Sequence, residues 1–123
     1  IVSKIVDNST KEVILENKRE EVAKIASVET VEKTIDLMRG VVDGRSKMST
    51  GTGYYIKGYD LVGKTGTAEI SDEEEPHSWF VGFSENPACP VAIVVIVENG
   101  GWGSSAALPI ASSVMEGAYK AMS

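Results

Sequence analysis

The sequence contains few residues that could form disulfides or bind metals, and it has no long hydrophobic run. Cys89 is the only cysteine, which excludes an internal disulfide. His77 is the only histidine, and the sequence places no partners for a metal site or a catalytic triad beside it. We therefore predict a structural role for His77 and expect neither a metal nor a cofactor. The longest apolar run, residues 91–97, is far shorter than the roughly 20 residues of a membrane-spanning helix.

Basic residues are also scarce, with 12 Lys and Arg against 18 Asp and Glu and a net charge of −6. This balance argues against nucleic acid as a partner, because phosphate binding requires a basic surface. Part of the acidic excess lies in Asp72-Glu-Glu-Glu75, which we interpret as a solvated turn. The length of 123 residues and the 42% hydrophobic content fit one domain with a modest core.

The first half of the chain predicts a β-hairpin and one amphipathic helix. Short apolar segments flank the turn cluster Asp7-Asn-Ser-Thr10, which predicts a hairpin over residues 1–15. Ser27 can cap a helix over residues 27–43, and Gly44 can end it. Apolar residues at spacings of three and four predict the face of this helix that packs in the core: Val28, Val31, Ile35, Met38, Val41 and Val42.

The second half predicts three strands and a final helix. Residues 61–70, 77–83 and 91–97 follow each other with short connections, so we expect an antiparallel meander, with a further short strand at 54–57. Residues 91–97 are apolar on both faces, which predicts a central strand covered on both sides. Ser104 or Ser105 can begin a helix over 104–121. Its predicted core face is Ile110, Val114, Ala118 and Ala121. The expected fold class is α+β, an antiparallel sheet covered by helices.

One stretch, Gly58 to Glu69, is dense in glycine, hydroxyl groups and positive charge. The glycines on either side of Lys64 and Thr65, at Gly63 and Gly66, would let another molecule approach the backbone closely. The letters match a P-loop, which requires a helix beginning at the Lys-Thr pair. The residues that follow show no helical period and reach Pro76, so nucleotide binding is the weaker interpretation.

The alternative is that residues 61–70 form a strand that binds a carboxylate. Val62, Thr65, Thr67 and Ile70 are β-branched and favour a strand. A glycine within a strand marks the close approach of a ligand or another backbone. A peptide-like substrate could then lie along the strand, with Lys64 holding its carboxylate.

Several motifs occur in an order that resembles the D,D-transpeptidase domain of monofunctional penicillin-binding proteins, within the superfamily that includes serine β-lactamases. The resemblance extends over most of the chain. Its motifs are Gly51-Thr-Gly, Gly63-Lys-Thr-Gly-Thr-Ala-Glu69, Ser78-Trp-Phe-Val-Gly-Phe83, Val91-Ala-Ile-Val-Val-Ile-Val97-Glu98-Asn99 and Ala106-Ala-Leu-Pro109.

The resemblance implies specific roles for the residues of the Lys-Thr-Gly motif. Lys64 would hold the carboxylate of the substrate or drug and tune proton transfer, which makes it both catalytic and substrate-binding. Thr65 and Thr67 would hydrogen-bond that carboxylate, and Gly66 would leave room for the substrate. The backbone N–H of Thr67 would form one arm of the oxyanion hole. The implied partners are peptidoglycan stem peptides ending in D-Ala-D-Ala, β-lactams and the remainder of the transpeptidase domain, with no membrane contact by this segment.

Two further motifs of this family are missing from the sequence. The nucleophile lies in Ser-x-x-Lys, and this spacing does not occur in the chain. Ser84-Glu-Asn86 has the letters of the second motif, Ser-x-Asn, but follows Lys-Thr-Gly instead of preceding it, so we reject it. The sequence is therefore expected to be the C-terminal portion of a transpeptidase domain, inactive alone. The parent would be anchored outside the cytoplasmic membrane.

Two other interpretations stay open at this stage. A class D β-lactamase or a β-lactam sensor would share Lys-Thr-Gly followed by Trp-Phe-Val-Gly. Gly51-Thr-Gly and Gly63-Lys-Thr-Gly-Thr-Ala-Glu69 favour the transpeptidase. A fragment that only folds or associates, without catalysis, is the third possibility.

Overall fold

The computed structural model describes residues 2–18, 20–43, 49 and 58–122. The predicted α+β class is confirmed, with two small antiparallel sheets and two helices. The predictions for Gly44, Gly51-Thr-Gly and the strand at 54–57 lie outside the described residues. The elements are strands β1 (Lys4–Val6) and β2 (Val13–Glu16), helix α1 (Val28–Val42), strands β3 (Leu61–Ala68), β4 (His77–Ser84) and β5 (Ala92–Val97), and helix α2 (Ala107–Met122).

The N-terminal hairpin forms as predicted, because the turn cluster supplies its own hydrogen bonds. β1 and β2 pair antiparallel. The Asp7 carboxylate accepts from the backbone N–H groups of Ser9 and Thr10, each at 2.8 Å. These bonds, first that from Thr10, hold the pKa of Asp7 below its ordinary value. The acidic side chain thus stabilises the turn between the two strands.

Helix α1 begins as predicted but packs differently. The Ser27 hydroxyl accepts from the Thr30 N–H at 3.1 Å, a typical N-cap. Val42 is fully buried, whereas Val28 is 65% exposed and Val31 is 47% exposed. The predicted core face is therefore wrong in its N-terminal half. Only the C-terminal end of α1 joins the core cluster of the sheet, so the periodic pattern runs beyond the surface that the described residues provide.

Helix α2 begins at Ala107, three residues after the predicted Ser104. Its first turn is capped from a distant strand, since the Ala107 N–H donates to the Ser78 hydroxyl at 2.9 Å. The predicted core face is wrong, because Ile110 and Val114 are about half exposed. Small residues let the helix approach the sheet through another face, formed by Ala107, Leu108, Ala111, Ser112 and Met115. Among the described residues, no helix has the length and hydropathy needed to cross a membrane.

The larger sheet has the strand order β3-β4-β5, so β4 is central and β5 is an edge strand among the described residues. The prediction of a central, doubly covered strand at 91–97 is therefore wrong. Ile93, Val95 and Val97 pack against the core, but Val94 and Ile96 are exposed on the other face. An all-apolar strand shows that both faces can be buried, whereas its place in a meander is set by the hairpin connections.

Phe80 on β4 is the centre of the core. Its side chain is fully buried, in a cluster with Val42, Leu61 and Leu108. The ring occupies the space that a Cβ atom would need at Gly63 and at Gly82, which are partners across β3 and β4. A Cβ at either position would lie within 2.8 Å of a Phe80 ring carbon.

Candidate active site

The Lys-Thr-Gly motif lies in the middle of strand β3, at an edge of the sheet among the described residues. Lys64 is opposite Val81, and Thr67 is opposite Ser78, in the antiparallel pairing with β4. Side chains alternate along a strand, so Lys64 and Gly66 share one face while Thr65 and Thr67 share the other. A P-loop would place a helix N-terminus here, and the strand geometry provides none.

Lys64 is exposed, and its ammonium group donates to the carbonyl oxygen of Thr65 at 2.7 Å. The positive charge therefore lies against the backbone of its own strand. A solvent-exposed ammonium keeps donors available, since it carries three N–H groups. An anion approaching the strand could bind to it without displacing a buried ion pair.

The two threonines differ in exposure. Thr65 is buried, with 9% of its surface exposed, whereas Thr67 is exposed. The Thr67 hydroxyl oxygen accepts from the backbone N–H of Gly103 at 3.3 Å. The carboxylate-binding roles of Lys64, Thr65 and Thr67, the room provided by Gly66 and the oxyanion role of the Thr67 N–H stay predictions, because the structure contains no ligand.

The two glycines of the motif have different surroundings. Gly63 was expected to admit another molecule, but the structure shows that the Phe80 ring fills the space beside it, so its lack of a side chain serves the core. At Gly66, a Cβ atom would lie 3.2 Å from Cβ of Trp79, a tight contact that the neighbouring strand alone produces. Packing within the chain thus accounts for Gly63 and contributes at Gly66.

Sequence reasoning missed two residues that contact this strand region, Ser78 and Gly103. Ser78 is fully buried, donates to the Trp102 carbonyl oxygen at 3.0 Å and accepts from the Ala107 N–H at 2.9 Å. Gly103 donates to Thr67. No local pattern marks these residues, because their partners lie 24 to 36 positions away in the sequence.

The acidic turn between β3 and β4 is a neighbour of the motif. A cavity of about 340 Å³ lies at the end of β3, and the carboxylate side chains of this turn line it together with Thr67 and Trp102. Trp102 is 71% exposed. The lining carboxylates belong to Glu69, Asp72, Glu74 and Glu75.

His77 has a structural hydrogen bond, as predicted. Its Nδ1 atom accepts from the Asn99 N–H at 3.0 Å, which links the start of β4 to the end of β5. In the part of the chain that the structure describes, no group of three or more His, Cys, Asp or Glu side chains could hold a metal ion.

Ser84-Glu-Asn86 links structural elements, which agrees with its rejection as the second motif. The Ser84 hydroxyl donates to the Tyr59 carbonyl oxygen at 2.9 Å, and the Asn86 amide donates to that of Gly58 at 2.8 Å. Glu85 accepts two bonds from Arg39, at 2.6 and 2.7 Å, which raise the pKa of the Arg39 guanidinium. These bonds position the chain where it enters β3, at the opposite end of the strand from Thr67.

Two curated relatives match part of the chain. One is the peptidoglycan D,D-transpeptidase PbpA of Mycobacterium tuberculosis, 37% identical over 73 residues, covering 53% of this chain and 15% of the relative. The other is the peptidoglycan D,D-transpeptidase MrdA of Haemophilus influenzae, 32% identical over 72 residues, covering 47% of this chain and 11% of the relative.

Solved structures show the same fold. Penicillin-binding protein A from M. tuberculosis, as an imipenem acyl-enzyme complex, superposes with a TM-score of 0.65 and 31% identity, over 88% of this chain and 23% of that one. The D,D-transpeptidase domain of a peptidoglycan glycosyltransferase from Eggerthella lenta gives a TM-score of 0.67 and 28% identity, over 93% and 26%. The chain thus spans about a quarter of these solved chains.

The penicillin-binding protein transpeptidase domain model matches residues 1–116, nearly the whole chain. The ordered motifs, the Lys-Thr-Gly strand at the sheet edge and this match agree. The chain therefore belongs to the penicillin-binding protein transpeptidase domain family.

Proposed function

We propose that this chain forms one wall of the acyl-transfer site of a D,D-transpeptidase, which cross-links peptidoglycan stem peptides ending in D-Ala-D-Ala and is acylated by β-lactams. The observation that carries the proposal is the Lys-Thr-Gly motif on an edge strand, with Lys64 and Thr67 exposed. An M. tuberculosis relative of the same fold forms an acyl-enzyme with imipenem, which supports the reaction class.

The alternation of side chains determines where a ligand would lie. Lys64 is on one face of the sheet, and Thr65 and Thr67 are on the other. A carboxylate that contacts both sets of side chains must therefore lie beside the outer edge of β3, and not above either face. There it would receive charge-assisted hydrogen bonds from the Lys64 ammonium and the threonine hydroxyls. A peptide lying along this edge would bring its scissile carbonyl to the Thr67 N–H, one arm of the oxyanion hole.

The nucleophile is proposed to come from outside these residues. The sequence contains no Ser-x-x-Lys, and the chain covers only 23% to 26% of the solved relatives. In the complete site, a serine oxygen would attack the penultimate D-Ala carbonyl, its proton passing through the lysine to the departing D-Ala amine. A second stem-peptide amine would then release the acyl group. We further propose that the parent protein acts on the outer face of the cytoplasmic membrane.

Intact-protein mass spectrometry with labelled penicillin tests this proposal. We expect no covalent adduct on the 123-residue chain, because it lacks the nucleophilic motif, and one adduct per molecule on the full-length gene product. A stoichiometric acyl adduct on the 123-residue chain would show that the nucleophile lies within it. A full-length protein that is never acylated would overturn the assignment as a transpeptidase that binds β-lactams.

A further inference from the structure

We propose that Gly103 is a positioning residue for acylation, and that it acts through the hydroxyl group of Thr67. This inference rests on the proposed function and adds a residue to it. Residues 102–107, called here the β5–α2 loop, connect the end of the sheet to helix α2 and contact β3 beside Thr67.

The first step is the contact between Gly103 and the sheet backbone. Gly103 is buried, and a Cβ atom there would lie 2.8 Å from the Trp79 carbonyl oxygen and 2.9 Å from the Gly66 nitrogen, while also colliding with the Gly66 carbonyl oxygen. These backbone atoms cannot rotate away as a side chain can. Only glycine therefore allows the loop to lie directly against the Gly66–Trp79 pair.

The second step is the direction of the hydrogen bond to Thr67. The Gly103 N–H donates to the Thr67 hydroxyl oxygen at 3.3 Å. A hydroxyl group has one donor hydrogen and two acceptor lone pairs, so this bond uses a lone pair and leaves the hydrogen available. A carboxylate only accepts, and it needs that hydrogen. Gly103 thus orients Thr67 as a donor toward an anionic ligand.

The third step is the anchoring of the β5–α2 loop. Ser78, the partner of Thr67 across β3 and β4, is fully buried and bonds both ends of the loop, at Trp102 and Ala107. The Leu108 N–H donates to the Gly103 carbonyl oxygen at 3.0 Å. The loop is therefore fixed to the central strand and to α2, which holds the Gly103 N–H in place beneath the Thr67 hydroxyl.

The test compares acylation of the full-length protein by penicillin G with acylation by its uncharged methyl ester. The ratio of the two second-order rate constants measures recognition of the carboxylate. We expect Gly103→Ala and Thr67→Val each to lower this ratio about ten-fold, the effect of losing one hydrogen bond to a charged group. Thr67→Ser should keep most of the ratio, since it retains the hydroxyl. The double variant should lower it no further than Thr67→Val alone.

Gly117→Ala is the matched control, because Gly117 lies in α2 with nothing within 4 Å of an added Cβ. It should leave the ratio unchanged. Ser78→Ala loosens the loop without adding volume, and it should lower the ratio even if Gly103→Ala fails to fold. An unchanged ratio in a folded Gly103→Ala or Ser78→Ala protein, or a further ten-fold loss in the double variant, overturns the inference while the proposed function stands. A wild-type protein that penicillin does not acylate overturns the proposed function, and this inference with it.

Discussion

Replacement of Lys64 by alanine in the full-length protein is expected to slow acylation by penicillin at least about ten-fold, without loss of the fold. A charge-assisted hydrogen bond to a carboxylate contributes about 1.5–3 kcal/mol. This free energy corresponds to roughly one to two decades in rate constant. The fold should survive, because Lys64 is exposed and its one printed partner is the carbonyl of its neighbour Thr65.

The second-order acylation rate and a thermal melt of each variant check this prediction. Lys64→Arg should recover part of the rate, because it keeps the charge but changes the reach and the donor geometry. Lys33→Ala is a suitable control, since Lys33 is an exposed helix lysine paired with Glu29. Acylation of Lys64→Ala at the wild-type rate, with an unchanged melt, would mean that Lys64 does not anchor the carboxylate.

Replacement of Phe80 by alanine is expected to lower the free energy of unfolding by about 3–5 kcal/mol, the usual cost of removing a buried aromatic ring. The ring is fully buried and fills the space beside Gly63 and Gly82, which carry no side chains that could close the cavity. A loss of this size is a large part of the roughly 5–15 kcal/mol that stabilises a typical domain.

Phe83→Ala provides the matched control on the same strand. Phe83 is only half-buried and its side chain points to the other face of the sheet, so its removal should cost clearly less. Urea unfolding of the two variants beside the wild-type protein measures the difference. Equal midpoints for Phe80→Ala and Phe83→Ala would show that the core does not depend on the Phe80 ring.

The elements that sequence reasoning placed well are those with local signals. Ser27 caps α1 because its hydroxyl reaches an N–H only three residues away. The Asp7 turn is equally local. The start of α2 was misplaced because its cap, Ser78, lies 29 residues earlier on β4. A cap that arrives through tertiary packing has no signature in the neighbouring sequence.

The faces of the helices and the position of β5 were harder to predict for a related reason. Periodicity shows which residues share a face, but both helices carry apolar residues on more than one face. The sheet selects the buried set, Val42 at the end of α1 and Leu108, Ala111 and Met115 on α2. For β5, an all-apolar composition could not distinguish an edge strand from a central one.

At the candidate site, the motif predicted the residues of β3 but not those behind them. Lys64 and Thr67 stand in a pattern that recurs within the family, so the letters alone pointed to them. Gly103 and Ser78 act by backbone proximity and buried hydrogen bonds, which become visible only when β3, β4 and the β5–α2 loop are brought together.

The most direct test of the account is a crystal structure of the full-length protein acylated by penicillin. We expect a covalent bond to a serine outside residues 1–123. The drug carboxylate should lie beside the outer edge of β3, about 2.6–3.2 Å from the Thr67 hydroxyl oxygen and within reach of the Lys64 ammonium. The acyl carbonyl oxygen should accept from the Thr67 N–H. A drug attached to a residue of this chain, or a carboxylate bound away from β3, would contradict the account.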